Sequence, residues 1–141
     1  MKAFETTALR FDGSVISALD QRELPEKEIW IDITEPAKAK HAIHTLAVRG
    51  APLIGVAAAI CLGRYWEINE SSDDFEKMAE MIRGARPTAV NLAWAVDRLL
   101  TAYHQKENVS LAALEILEDD RQSCDRIAEN GSQLINDGDN V

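Results

Sequence analysis

Two arginines in this chain stand just before a proline at the opening of an apolar stretch. The first is Arg49, in Val48-Arg49-Gly50-Ala51-Pro52, with Leu53-Ile54-Gly55-Val56-Ala57-Ala58-Ala59-Ile60-Cys61-Leu62-Gly63 following. From Ala51 to Gly63 there is no charged or strongly polar side chain. Pro52 suits the first helical position, where a missing N–H costs nothing, and Gly50 leaves the backbone free just before it. The unpaired N–H groups of a helix start, the positive end of its dipole and a guanidinium then converge, which is the chemistry of an anion site. Taken alone, these five residues are explained equally well by a tight turn with a surface ion pair. The second arginine is Arg86, in Gly84-Ala85-Arg86-Pro87-Thr88, and it repeats the arrangement. Two such helix mouths could face one phosphate together.

Other reactive residues group less well. His41 and His44 lie three apart on one predicted helix, a spacing open to a metal pair, but no carboxylate or cysteine partner accompanies them. They read as semi-exposed histidines. Cys61 and Cys124 have no metal-ligand spacing and read as small buried hydrophobes in a reducing cytosol. Glu118-Asp119-Asp120-Arg121 reads as the solvated face of a helix. No cofactor motif is present.

The 141 residues fit one domain of ordinary size, and 46% apolar with 28% charged residues is a globular balance. A net charge of −9 argues against nucleic acid as a partner. It also makes two arginine-bearing mouths more telling, since they work against the overall field. The uncharged stretch is shorter than the roughly 20 residues a bilayer crossing needs, so a buried central helix is expected. No basic region followed by an apolar run opens the chain, so neither a signal peptide nor a membrane partner is expected, and the location expected is cytoplasmic.

Residues 1–33 look extended and form a small β-sheet cap. Thr7–Phe11 and Val15–Leu19 flank an Asp12-Gly13 hairpin turn, and Glu28–Ile33 alternates as a third strand after a loop at Leu24-Pro25. Residues 34–141 form a helical bundle. Thr34 caps a helix with Pro36 in its first turn and an Ala39, Ile43, Leu46, Ala47 stripe to about residue 47. The central helix follows, then a polar Asn69–Ser72 loop. Asp73 and Asp74 lie in the first turn of a third helix with Phe75, Met78, Ala79 and Ile82 on its apolar face. Gly84 ends it as a C-cap. Pro87-Thr88 starts a fourth helix running through Val90, Ala93, Trp94, Asp97 and Leu100. Ser110 caps a long fifth helix from Leu111 to about Ile135, with Leu114, Leu117, Arg121, Cys124, Ala128 and Leu134 along it.

Leu19-Asp20-Gln21, the Val48–Ala59 stretch, Arg86-Pro87-Thr88-Ala89-Val90-Asn91-Leu92-Ala93-Trp94-Ala95 and the closing Asn130–Gly138 stretch together carry a resemblance. They resemble the family that methylthioribose-1-phosphate isomerases share with ribose-1,5-bisphosphate isomerases and the regulatory subunits of translation initiation factor 2B, and within it the isomerase branch. The resemblance covers the whole chain. It implies a mainly α domain with a small N-terminal antiparallel sheet, belonging to an enzyme whose second, Rossmann-like α/β domain is not in these residues. The implied reaction is an aldose–ketose isomerisation, 5-methylthioribose 1-phosphate to 5-methylthioribulose 1-phosphate, in methionine salvage. Substrate binding is implied for Arg49, Gly50, Ala51 and Arg86. The family's catalytic cysteine, in a Thr-His-Cys-Asn-Ala-Gly motif, and its catalytic aspartate have no counterpart here, so no catalytic residue is expected in this chain. The implied partners are the sugar phosphate, the C-terminal domain and, at full length, a second copy. A second reading, implied by the initiation-factor relatives, is a non-catalytic module that senses a sugar phosphate or nucleotide.

Overall fold

Every residue from Ile54 to Gly63 is buried in the computed structural model, which describes residues 1–69 and 74–140. These residues form the middle of α2 (Ala51–Ile68), and the other helices are laid around it: α1 (Pro36–His44), α3 (Phe75–Arg83), α4 (Val90–His104) and α5 (Val109–Ser132). Burying a side chain such as Ile60 or Leu62, both fully covered, contributes about 1.5–3 kcal/mol. The alanines Ala57, Ala58 and Ala59 contribute less area but let the neighbouring helices come close. α2 continues past Gly63 through Arg64 to Ile68. Its 18 residues therefore reach the length and hydropathy of a membrane-crossing helix, with 56% of that stretch buried inside the protein.

Two glycines set the spacing. A Cβ on Gly55 would lie 2.8 Å from the Asn91 carbonyl oxygen of α4, and one on Gly63 would lie 2.6 Å from the Ala113 Cβ of α5. Real Cβ atoms do not approach so closely, so α4 and α5 sit against α2 only because these positions lack a side chain.

Four strands form an antiparallel sheet in sequence order: β1 (Phe4–Glu5), β2 (Leu9–Phe11), β3 (Ile16–Leu19) and β4 (Trp30–Asp32). Leu9 pairs with Ala18 and Phe11 with Ile16, and all four face the core. The hairpin turn forms as expected. Asp12 Oδ1 accepts from the N–H groups of Ser14 and Val15 at 2.8 Å each, and Gly13 takes a φ of +102°. β1 is an addition to the three strands expected, a two-residue edge strand paired with β2.

Several helix boundaries differ from expectation. Thr34 does not cap α1; Glu35 holds that position without a side-chain bond, and Thr34 Oγ1 instead accepts from the Ile16 N–H at 2.9 Å, joining β3 to the start of α1. α1 stops at His44, and Leu46 turns outward with a φ of +63°, leaving Ala47 to fill the core. Ala51, not Pro52, is the first residue of α2. Asp74 precedes α3 as its N-cap, with no side-chain bond. Asp73 and the Glu70–Ser72 part of the expected loop lie outside the described residues. Phe75, Ala79 and Ile82 are buried as expected, and Gly84 is the C-cap, in a right-handed conformation open to any residue.

Pro87-Thr88 forms a turn rather than a helix start, and α4 opens at Val90. Its buried face is Leu92, Ala95, Val96, Leu99 and Ala102, which leaves Val90 and Trp94 outside. Asn108 caps α5 by accepting from the Leu111 N–H at 2.9 Å, while Ser110 is buried within the helix, which ends before Leu134. Cys124 is exposed on α5, contrary to its reading as a buried hydrophobe. Cys61 is buried, donates to the Thr34 carbonyl at 3.6 Å, and has its thiol pushed up by desolvation.

Two predictions come from this packing. Gly63→Ala should destabilise the domain by about 1–3 kcal/mol through overpacking, and adding Ala113→Gly should recover a measurable part, giving a coupling of about 0.5–3 kcal/mol in a double-mutant cycle by thermal unfolding. A Gly63→Ala protein as stable as the parent would show that α5 does not lean on that glycine. With a thiol reagent, Cys124 should react promptly and Cys61 only on unfolding. Prompt titration of both would place Cys61 outside the core.

Candidate functional site

Arg49 is held from behind by the end of β3. Its Nη2 donates to the Gln21 carbonyl at 3.0 Å, and Gln21 Nε2 donates back to the Arg49 carbonyl at 3.3 Å. The Gln21 N–H donates to the Ala47 carbonyl at 2.9 Å. Gln21 thus laces the sheet to the segment that enters α2. Asp20, next to it, is a carboxylate only 4% exposed. It accepts from Arg22 Nε at 2.8 Å and Nη2 at 2.6 Å. That pairing holds its carboxyl below the usual range against the opposing effect of burial. A buried charge needs such a partner.

Gly50 is the N-cap of α2 with a φ of +97° and ψ of 128°. Few side chains tolerate that backbone. It lets the chain turn from the braced Arg49 directly into Ala51, whose N–H, like every first-turn N–H, has no partner within the helix. Arg49 is exposed, and its guanidinium has five donors, of which the Gln21 carbonyl engages one group. A guanidinium with free donors and the positive end of the α2 dipole are each groups that attract an anion.

Arg86 is half-buried on the turn before α4, four residues ahead of Val90 rather than at the helix mouth itself. Its carbonyl accepts from the Ala89 N–H at 3.0 Å, closing the turn over Pro87-Thr88. The residue before it, Ala85, is buried, and its carbonyl lies 3.2 Å from His44 Nδ1. His44 therefore pins the end of α1, just ahead of Arg49, to the segment carrying Arg86. The contact between Gly55 and Asn91 adds a second constraint, since one turn into α2 lies against the second residue of α4. The starts of α2 and α4 are therefore close to each other.

Two clefts adjoin the α2 start. The smaller, about 190 Å³, lies between Pro52 and Val56 of α2, Asn91 and Trp94 of α4, and Ile116 to Ser123 of α5. The larger, about 500 Å³, lies between Gly50, Pro52, Leu53 and Val56, the β1–β2 loop and Leu117 to Asp125 of α5. Pro52, Val56 and Asp120 line both. Gly50 lines the larger cleft, whereas neither cleft is lined by Arg49, Ala51 or Arg86. Among the described residues, no group of histidine, cysteine or carboxylate side chains is arranged to hold a metal ion, and His41 has no part in such a group.

Three of these parts go beyond the local sequence pattern: Gln21 as the brace of Arg49, His44 as a strut between α1 and the Arg86 turn, and Trp94 at the cleft. The Leu19-Asp20-Gln21 motif was the available signal for the first. His44 and Trp94 acquire their roles only through long-range packing, which spacing along the chain does not encode.

Comparison with known proteins bears on the same segments. The chain is 39% identical over 141 residues to the methylthioribose-1-phosphate isomerase of Enterobacter sp. (strain 638), covering 98% of this chain and 41% of the relative. It thus spans about two fifths of that relative's length. Among solved structures it is similar to the 5-methylthioribose 1-phosphate isomerase of Pyrococcus horikoshii OT3, with a TM-score of 0.72 and 28% identity over 79% of this chain and 36% of that one. It is also similar to the translation initiation factor eIF-2B subunit delta of A. fulgidus, with a TM-score of 0.68 and 28% identity over 97% of this chain and 42% of that one. The profile of the initiation factor 2 subunit family matches residues 47–141, beginning just before Arg49 and taking in both arginine segments. The braced arginine ahead of α2 and the second ahead of α4 are thus features of a chain that belongs to the initiation factor 2 subunit family.

Proposed function

We propose that this chain is the N-terminal, substrate-clamping part of an aldose–ketose isomerase that converts 5-methylthioribose 1-phosphate to 5-methylthioribulose 1-phosphate in methionine salvage. The observation that carries the reading is the seating of Arg49 against Gln21 at the start of α2, with the Arg86 turn pinned nearby through His44. The names of the curated relatives support the isomerase class. In this reading Arg49, Gly50, Ala51 and Arg86 bind the substrate, and the arginines take its phosphate. The reaction moves a hydrogen from C2 to C1 of the sugar, which needs an acid or base within hydrogen-bond reach. Those groups are assigned to a Rossmann-like domain C-terminal to these residues, so the 141 residues alone are inactive. The full-length enzyme is assigned to the cytoplasm as a homodimer, without nucleic acid or membrane partners.

The structural likeness to the initiation factor 2B subunit favours a second reading, in which the same anion site serves a regulatory module that senses a sugar phosphate or nucleotide. Kinetics separate the two. In the full-length enzyme, Arg49→Ala and Arg86→Ala should each lower kcat/KM about 10- to 100-fold, the size of one lost charge-assisted hydrogen bond. Arg86→Lys should recover only part, because an ammonium lacks the planar fork. Thermal unfolding should change little for Arg86→Ala and slightly more for Arg49→Ala, which also frees the Gln21 carbonyl. Wild-type kcat/KM in Arg86→Ala would remove that residue from the site. Binding of the sugar phosphate without turnover by the full-length protein would favour the regulatory reading, and turnover by the purified 141 residues would contradict the assignment of the chemistry elsewhere.

A further inference from the structure

We propose that His44 is a positioning residue for substrate binding that acts through Arg86: its imidazole fixes the peptide plane from which the Arg86 side chain departs. This rests on the isomerase reading above, in which Arg86 takes the phosphate, and deepens it by assigning the group that holds Arg86 in place. Nδ1 of His44 lies 3.2 Å from the Ala85 carbonyl oxygen. A carbonyl oxygen only accepts, so Nδ1 carries the hydrogen, and in the neutral ring Nε2 keeps the lone pair. That carbonyl belongs to the Ala85–Arg86 peptide, whose six atoms lie in one plane. Holding its oxygen therefore holds the amide nitrogen and Cα of Arg86. On the other side, Pro87 disfavours helical backbone at Arg86, and the Arg86 carbonyl accepts from the Ala89 N–H at 3.0 Å. The peptides on both sides of the Arg86 Cα are held, and with them the direction of its Cα–Cβ bond.

The anchor is firm. His44 is the last residue of α1, whose Ala39, Ala42 and Ile43 are buried in the core. The chain that goes on to Arg49 is tied to the same turns. The N–H groups of Thr45, Leu46 and Val48 donate to the His41, Ile43 and Ala42 carbonyls at 2.9, 3.3 and 3.1 Å. The backbone leading to Arg49 and the backbone leading to Arg86 are thus both fastened to the end of α1, the second of them through His44. Ala85 is only 3% exposed. Without the imidazole its carbonyl must rotate to reach water, because a buried acceptor left unpaired is costly. That rotation turns the Arg86 Cα–Cβ bond with it.

A double-mutant cycle in the full-length protein tests this. His44→Ala should lower kcat/KM about 3- to 10-fold through a raised KM, the size of one neutral hydrogen bond. The loss should vanish in an Arg86→Ala background, where no guanidinium is left to place. His44→Asn should recover most of the activity, since its amide N–H can stand where Nδ1 stood. His44→Gln, whose amide sits further out at the place of Nε2, should not, and it replaces His44→Ala in the cycle if the alanine variant fails to fold. A purely structural contact would lower the thermal midpoint and kcat/KM alike in both backgrounds. Wild-type kcat/KM in His44→Ala would overturn the proposal. So would a loss of equal size with and without Arg86, or a His44→Asn enzyme no better than His44→Ala. The same cycle read on the Kd of inorganic phosphate, by calorimetry, separates this role from the isomerase reading. A non-additive loss of phosphate affinity in a full-length protein that does not turn over 5-methylthioribose 1-phosphate would uphold the role of His44 and overturn that reading. Turnover with additive losses would uphold that reading and overturn the role of His44.

Discussion

The approach of α4 and α5 to α2 at Gly55 and Gly63 is the constraint on which the other geometry depends. A helix packed on both sides with no side chain at the points of contact has almost no freedom to slide, because any shift drives backbone or Cβ atoms together. The start of α2 is therefore fixed relative to the start of α4. The run of alanines between the glycines serves the same end. It trades apolar area for proximity, and the larger side chains of the flanking elements, such as Leu92, Leu99 and Phe11, supply the burial instead.

Around that rigid centre the polar contacts act as joints between layers. Thr34 ties the sheet to α1 and α2 through its hydroxyl and its carbonyl. Asp20 and Gln21 tie the end of β3 to the entry of α2, and His44 ties α1 to the turn before α4. Pairs on the outside, such as Arg98 with Glu115 and Asp119, bridge α4 and α5 in solvent. Pairs of that kind contribute about 0–1 kcal/mol each and orient more than they stabilise.

Much of this was legible in the chain. The apolar run from Ala51, marked by Gly50 and Pro52, announced the central helix, and the Asp12-Gly13 turn announced the hairpin. The mainly α architecture with a small antiparallel sheet followed from the same patterns. Residues that can satisfy two roles were read wrongly. Thr34 and Ser110 are good caps by type, but one is recruited by a strand backbone and the other is buried within its helix, so Glu35 and Asn108 hold the cap positions. The outward face of α4 was illegible because Val90 and Trp94 are as apolar as the buried face. What separates the two faces is contact with α2 and α5, which a single helix does not encode. The arginine segments were located from local signals, whereas the brace on Arg49 spans 28 positions of sequence and required the fold.

Bracing has a thermodynamic corollary for the sheet. Arg49 and Gln21 exchange hydrogen bonds, so an anion that binds Arg49 only in its braced position binds only the state in which β3 and β4 are correctly seated. By mass action such a ligand stabilises that state by RT ln(1 + [L]/Kd). Occupancy at the mouth of a helix would thus be felt as reduced fraying in a four-stranded sheet that contributes no side chain to the anion. Sheet and site report on each other through the side chains of Arg49 and Gln21, and the energy of coupling is bounded by the strength of the two bonds they make.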